Sequence, residues 1–347
     1  MKVSKIPGLG RFGVFIDDLD FTNLTDDEWH ELGQQHLNNL VTIIRNVSLT
    51  PSEYESWASK WITERNISAY RLLKKYNANS LSEIFFQKDT SKLDQEDKDW
   101  FNSVSNILAR EEVGKETNML RVTGMKDKQG NALGMFADGE LLWHSNESGS
   151  LIFAPAVSLL GFRGVVGSAT GFLTTPDWYE EQTESFRSEL DEMVICHKFT
   201  AGKINPGLRK EQDLIMYKNM CPEDAEIPLV IQSPIGIKGL HYSINTIDSI
   251  KGMSKEESNK VFEYINKTLF VDKYIYDHWY SQDNDICFFD NSITLHRRLG
   301  GISNRLCYRI QGDYEKITPK ILNPYFQEPF ISKYEDNLSE LKLLLRN

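Results

Sequence analysis

From Met119 onward the chain consists of β-branched and aromatic runs separated by Gly, Pro and Asn, with no regular alternation of strand and helix. A doubly wound parallel sheet requires that alternation, so this part of the chain is confined to an antiparallel sandwich or barrel. Its one clear helix is Ser254 to Leu269, which opens on Ser254-Lys255-Glu256-Glu257 with the spacing of a capping box. Ahead of it, Phe12 to Ile16 reads as a strand. Asn23 or Thr25 then precedes three acidic residues and starts a helix from about Thr25 to Leu40. Val41 to Arg45 has the length and branching of a buried strand, and Thr50-Pro51-Ser52 opens a further helix. Residues 62–116 are polar and highly charged, with no Gly before Gly114, which predicts a helical insertion serving as a solvated packing subdomain or a lid. The 347 residues are read as one domain, 1–347, containing that insertion.

Composition excludes several classes of function. Hydrophobic residues make up 40% and charged residues 26%, ordinary usage for a folding globular chain. A formal charge of −11 repels phosphate backbones and anionic headgroups, so nucleic acid and membrane surfaces are not expected partners. The longest apolar stretch, Leu151 to Phe162, is interrupted by Pro155 and Ser158 and falls short of the roughly 18 residues a membrane helix needs. Met1 to Gly13 has no apolar core of a signal peptide. Four widely spaced cysteines, Cys196, Cys221, Cys287 and Cys307, make neither a metal motif nor a disulfide scaffold, and a reducing, cytoplasmic setting is expected. Self-association into a homo-oligomer is compatible with all of this.

Of the seven histidines, two stand in chemically suggestive company. His144 lies in Leu142-Trp143-His144-Ser145-Asn146-Glu147; an extended segment there would put His144 and Asn146 on one face. His296 follows the buried-strand run Ile286 to Phe289. Arg305 and Arg309 flank Leu306-Cys307-Tyr308, and on a strand they share a face. Two guanidiniums facing inward in a barrel require an anion, because an unmatched buried charge costs several kcal/mol. Two imidazoles and an oxygen donor on one face of a metal is the arrangement used by non-haem iron(II) in oxygen chemistry.

In this context the order of motifs becomes specific. Trp143-His144-Ser145-Asn146, Pro155 to Leu160, Gly167-Ser168-Ala169-Thr170, Pro234 with Gly236, Trp279, Gln282 to Asp285, Asp290-Asn291, His296 and Arg305 to Arg309 follow one another as in the taurine dioxygenase (TauD/TfdA) family, which the chain resembles outside the 62–116 segment and about the last 30 residues. Gly10 to Trp57 also resembles the family's start. The resemblance implies an α+β fold, a double-stranded β-helix (jelly-roll) core with flanking helices, and an iron(II)- and 2-oxoglutarate-dependent dioxygenase acting with O2 on a small molecule. It assigns His144 and His296 to the metal, Thr170 and Arg305 to 2-oxoglutarate, and Arg309 to an anionic or amino-acid-like substrate. No catalytic group is expected beyond the metal centre.

The family motif is His-x-Asp, and here Asn146 stands where the carboxylate belongs. A neutral amide is a poorer donor and leaves one more positive charge on the metal. Three outcomes follow. Asn146, or Glu147 after a small register change, completes an oxygenase site. Alternatively, the lost carboxylate admits a halide, as in related halogenases, although Asn is larger than the residues usual there. In the third, the protein binds metal or 2-oxoglutarate without turnover.

Other signatures are weaker. Gly8-Leu9-Gly10-Arg11-Phe12-Gly13 spells a dinucleotide fingerprint but lacks the strand before it and the helix after it, so it reads as a turn. No GxSxG elbow is present, and Gly167-Ser168-Ala169 is only a fragment of one. A zinc hydrolase would need a third ligand near His144, for which His197 and His241 are candidates. Trp178, Tyr179 and Asn205 to Arg209 fall where substrate-shaping loops are expected, with ordinary packing as the alternative.

Overall fold

The computed structural model describes residues 1–64, 119–126, 140–148, 154–198, 226–300, 304–314 and 316–318, with position 128 and isolated positions between 72 and 98. The first two helices follow strands and share one kind of cap. α1, Asp26–Asn39, is capped by Thr25, whose hydroxyl accepts from the Glu28 backbone N–H while Glu28 returns a bond to Thr25. α2, Pro51–Ala58, repeats this box with Thr50 and Glu53. Each box satisfies N–H groups that the first turn would otherwise leave unpaired.

The strands are, in chain order, β1 Lys2–Lys5, β2 Val14–Asp17, β3 Val41–Ile44, β4 Thr63–Glu64, β5 Leu120–Thr123 and β6 Leu141–His144. Then come β7 Ala156–Arg163, β8 Ala169–Thr174, β9 Val194–His197, β10 Glu226–Pro228, β11 Val230–Gln232 and β12 Lys238–Leu240. β13 Ile247–Ile250, β14 Ile275–Trp279, β15 Asp285–Asp290, β16 Thr294–Leu299 and β17 Leu306–Asp313 complete the series. The larger sheet runs β1-β2-β3-β15-β7-β17-β4, with β5 also on β17; the smaller runs β14-β8-β16-β6. Among these pairings only β2 with β3 is parallel.

Alternation along the strands sorts the core into layers. On β15, Ile286 and Phe288 join Trp29, Trp57 and Trp61 beneath α1 and α2, whereas Cys287 and Phe289 point the other way. The latter meet Val157, Leu159 and Phe172 between the two sheets. Leu173 and Leu295, on the outer face of the smaller sheet, pack on Trp178, Leu190, Phe262 and Ile265. Facing sheets with helices outside agree with the expected α+β class.

Some local expectations need correction. Thr63–Glu64, at the start of the segment expected to be helical, is a strand paired with Gly312 and Asp313 of β17; most of the rest of 62–116 lies outside the described residues, and Leu72, Lys75, Tyr76, Gln95, Asp97 and Lys98, which are described, are helical. Two helices, Pro176–Glu180 and Glu184–Glu192, accompany Lys255–Leu269 where one was read. Trp178 and Tyr179 belong to the first of them and are buried in the outer core, so packing, not loop shaping, is their place. Asn205 to Arg209 and Cys221 lie outside the described residues, and the other cysteines are free. Among the described residues no helix is long and apolar enough to cross a membrane.

Candidate functional site

β6 lies against β16 with His144 opposite His296, so residues 152 positions apart become cross-strand neighbours. Their ring centroids are 4.1 Å apart. The pairing then slips: Arg298 faces Leu141, so two steps along β16 match three along β6. This bulge lets Leu141 and His144 both reach the cavity between the sheets, which strict alternation would forbid. Trp143, between them, turns outward to the core beneath helix Lys255–Leu269.

Both imidazoles are prepared to act as neutral donors. His144 Nδ1 is 2.6 Å from the carbonyl of Leu142; a carbonyl only accepts, so Nδ1 carries the proton and Nε2 keeps its lone pair. Burial lowers the pKa of His144 to about 4, aided by the charges of Arg309 and Arg298 and opposed by the carbonyls of Leu142 and His296. His296 is pushed well below its ordinary value by burial, by His144 and by Arg309. Its Nδ1 is buried without a partner among the described residues.

The third expected donor arrives differently from the sequence expectation. β6 stops at His144, and residues 146–148 form a turn with Glu147 at a φ of 60°. Asn146 therefore reaches the cavity through a turn rather than by strand alternation. Asn291 clamps it, accepting from its backbone N–H at 2.7 Å and donating to its carbonyl at 3.0 Å. The side-chain Nδ2 of Asn146 donates to Gln311 Oε1 at 3.1 Å. The Glu147 carboxylate is engaged elsewhere, taking Gln311 Nε2 at 2.6 Å on one oxygen and the Ala154 N–H at 3.3 Å on the other. Among the described residues, no three His, Cys, Asp or Glu side chains converge as a metal set. The donor set on offer is thus two imidazoles and an amide.

Across a cavity of about 50 Å³ from these groups stand Thr170, Arg305 and Arg309, so all six residues singled out in the sequence line one space. Arg305 is 4% exposed; its Nε faces Cys307 Sγ at 3.1 Å, and its Nη1 has no partner among the described residues. Among the described residues no Asp or Glu lines the cavity, whereas four arginines do: Arg297, Arg298, Arg305 and Arg309. Arg297 is spoken for, held by Asp277 and stacked over Trp143. A buried guanidinium with an unmade bond suits a carboxylate, and neutral imidazoles suit a divalent cation. The residues present therefore fit iron(II) and 2-oxoglutarate.

Sequence reasoning missed Arg298 and Gln311, and named Asn291 only as a family landmark without a role. Arg298 is two positions beyond His296, and Gln311 two beyond Arg309, so alternation from the residues already chosen points to both. Tyr280, whose hydroxyl meets Thr170 Oγ1 at 3.1 Å, was also overlooked. The remaining buried histidines have structural partners: His36 bonds Thr42 and Tyr314, His278 bonds Asp285, His197 bonds Thr246, and His241 bonds Ser292. His197 and His241 do not line the cavity with His144, so neither serves as the third ligand of a zinc site there.

Solved structures share this architecture. AAD-2 in complex with Mn(II) and N-oxalylglycine aligns with a TM-score of 0.58 at 16% identity, over 90% of this chain and 97% of that one. A taurine dioxygenase from Burkholderia xenovorans gives 0.56 at 15% identity, over 89% of each chain. A putative alpha-ketoglutarate dependent 2,4-D dioxygenase from the same organism gives 0.55 at 14%, over 90% of this chain and 97% of that one. No curated protein sequence matches. Residues 3–311 match the profile of the taurine catabolism dioxygenase TauD, TfdA family. The chain belongs to that family, and it is a 2-oxoglutarate-dependent dioxygenase that uses iron(II).

Proposed function

We propose that His144, His296 and the amide oxygen of Asn146 hold the iron, that Arg305 and Thr170 hold 2-oxoglutarate, and that the enzyme hydroxylates or otherwise oxidises a C–H bond of a small anionic or amino-acid-like molecule. The observation that carries this reading is the His144–His296 pair sharing one cavity with the unpartnered Nη1 of Arg305. Iron with 2-oxoglutarate and O2 supplies the oxidising chemistry, leaving succinate and carbon dioxide. The chain's own part is positioning. The Leu142 carbonyl fixes the His144 tautomer, Arg305 receives the distal carboxylate in a charge-assisted contact, and Phe289, Val157 and Leu159 keep water from the reacting carbon. Arg309, on the same face as Arg305, receives the substrate's anionic group.

Asn146 is favoured over Glu147 as third donor because both Glu147 oxygens already accept hydrogen bonds away from the imidazoles. Halogenation needs an open position for a halide. Asn146, clamped by Asn291 and Gln311, supports oxygenation instead. Anaerobic addition of iron(II) and 2-oxoglutarate tests the proposal: a visible charge-transfer band is expected, and its absence at saturating ligand would remove the reading. Turnover with and without chloride separates the two chemistries, and only chloride-dependent product would favour the halogenase.

A further inference from the structure

A side-chain amide has a donor end and an acceptor end, and what surrounds it decides which end faces where. At the metal centre proposed above, three such decisions are chained together. Glu147 Oε1 takes a hydrogen bond from Gln311, so Gln311 must turn its NH2 towards Glu147, at 2.6 Å. The carbonyl of Gln311 then faces Asn146, which must answer with its own NH2, at 3.1 Å. That leaves Oδ1 as the end of Asn146 available to the imidazole pair. All three side chains are buried, at 7% exposure for Asn146, 8% for Gln311 and 9% for Glu147, so water does little to scramble the order. The backbone is built for it as well. Glu147 adopts a left-handed φ of 60°, and Asn291 ties the Asn146 peptide to that of Ala154, whose N–H holds the second Glu147 oxygen.

We propose that Glu147 and Gln311 are positioning residues that orient the Asn146 amide oxygen toward the metal, so that the carboxylate missing from the motif is retained one residue later and acts through two amides. The inference rests on the metal reading of His144, Asn146 and His296. It reverses a simple expectation about restoring the family's aspartate. In Asn146→Asp, two carboxylates would compete for the one NH2 of Gln311. The introduced carboxylate would meet the Gln311 carbonyl oxygen, or Gln311 would turn over and set that oxygen against Glu147. Adding Glu147→Gln lets the whole chain reverse with every bond kept: the amide introduced at position 147 donates to Gln311, and Gln311 donates to the carboxylate introduced at position 146.

The test is Mn(II) affinity of the full chain, read from the electron paramagnetic resonance of free Mn(II), which requires no turnover. Gln311→Leu should weaken binding about tenfold, the lower end of what losing a partner of a ligand costs. Asn146→Asp alone should change affinity by less than about threefold, whereas Asn146→Asp with Glu147→Gln should bind at least about tenfold tighter than Asn146→Asp, a coupling typical of contacting residues. Thermal melting identifies a variant that has lost its fold, and the Asn146/Glu147 cycle does not depend on Gln311→Leu folding. If Asn146→Asp tightens binding by the same factor with and without Glu147→Gln, the relay is overturned and the metal centre stands. If no variant binds Mn(II), the centre falls and the relay with it.

Discussion

Truncating Arg305 isolates the anion side of the cavity without touching a metal donor. Its guanidinium is buried, touches Cys307 and has an Nη1 with no partner among the described residues, so a carboxylate there would gain a charge-assisted bond of about 1.5 to 3 kcal/mol. Arg305→Ala should therefore raise the 2-oxoglutarate dissociation constant by roughly 10- to 100-fold while leaving Mn(II) affinity nearly unchanged; titration calorimetry reads both, and an unchanged constant would place the anion grip elsewhere. The residues legible in the sequence were those whose spacing survives folding: His144, His296, Thr170, Arg305 and Arg309 converge as their order suggested. The partners of Asn146 were not legible. On a regular strand Glu147 points away from the site, and only a turn with a left-handed residue brings its carboxylate to Gln311.

Among the elements, helix starts were the most readable, because a cap is a local event. Ser254 takes the capping role that its spacing to Glu257 predicts, Thr50 caps the helix that Pro51 opens, and of the two candidates Asn23 and Thr25 it is Thr25 that caps α1. Thr50→Ala should cost about 1 kcal/mol, since α2 carries Trp57 against Phe288 and loses a partner for an orphan N–H; a lower urea midpoint at unchanged slope is the expected signature. Pro176–Glu180 was missed because Thr175 makes no side-chain cap bond and the helix is only five residues long. β7 carries another constraint: a Cβ on Gly161 would lie 2.8 Å from the Tyr280 ring, whose hydroxyl meets Thr170. Gly161→Ala should destabilise by about 1 to 3 kcal/mol through overpacking and weaken 2-oxoglutarate binding as Tyr280 shifts. Full stability with unchanged binding would show that the ring relaxes freely.

For the molecule as a whole, antiparallel architecture was readable from punctuation alone, whereas the bulge in β6 was not, because it depends on how β6 meets a strand far later in the chain. Three buried histidines that do not line the cavity contribute to the response to acid. Burial lowers His36 and His197 to about 3 and His241 to about 4. Above pH 6.5 they are neutral in folded and unfolded chains alike; below it the unfolded chain takes up protons that the folded one refuses, so stability falls with pH. At pH 5 each costs about 2 kcal/mol. Asp290 works the other way, since burial raises its pKa to about 6 and folding then favours its protonated form, but it returns only about 1 kcal/mol at that pH. Denaturant titrations from pH 7 to pH 4.5 should show steady loss; a flat profile would mean these imidazoles are wetter than their packing implies.

β17 is the last described strand of the larger sheet and enters it between β7 and β4, carrying Arg309 and Gln311, with Arg305 immediately ahead of it. Because a ribosome delivers the chain from one end, a nascent polypeptide that has emerged only as far as residue 300 already has both imidazole strands available to pair, yet it holds none of those three groups. Cation capture can then precede co-substrate capture during biosynthesis, and arrested chains of graded length would reveal the order by gaining N-oxalylglycine affinity only once β17 has cleared the exit tunnel.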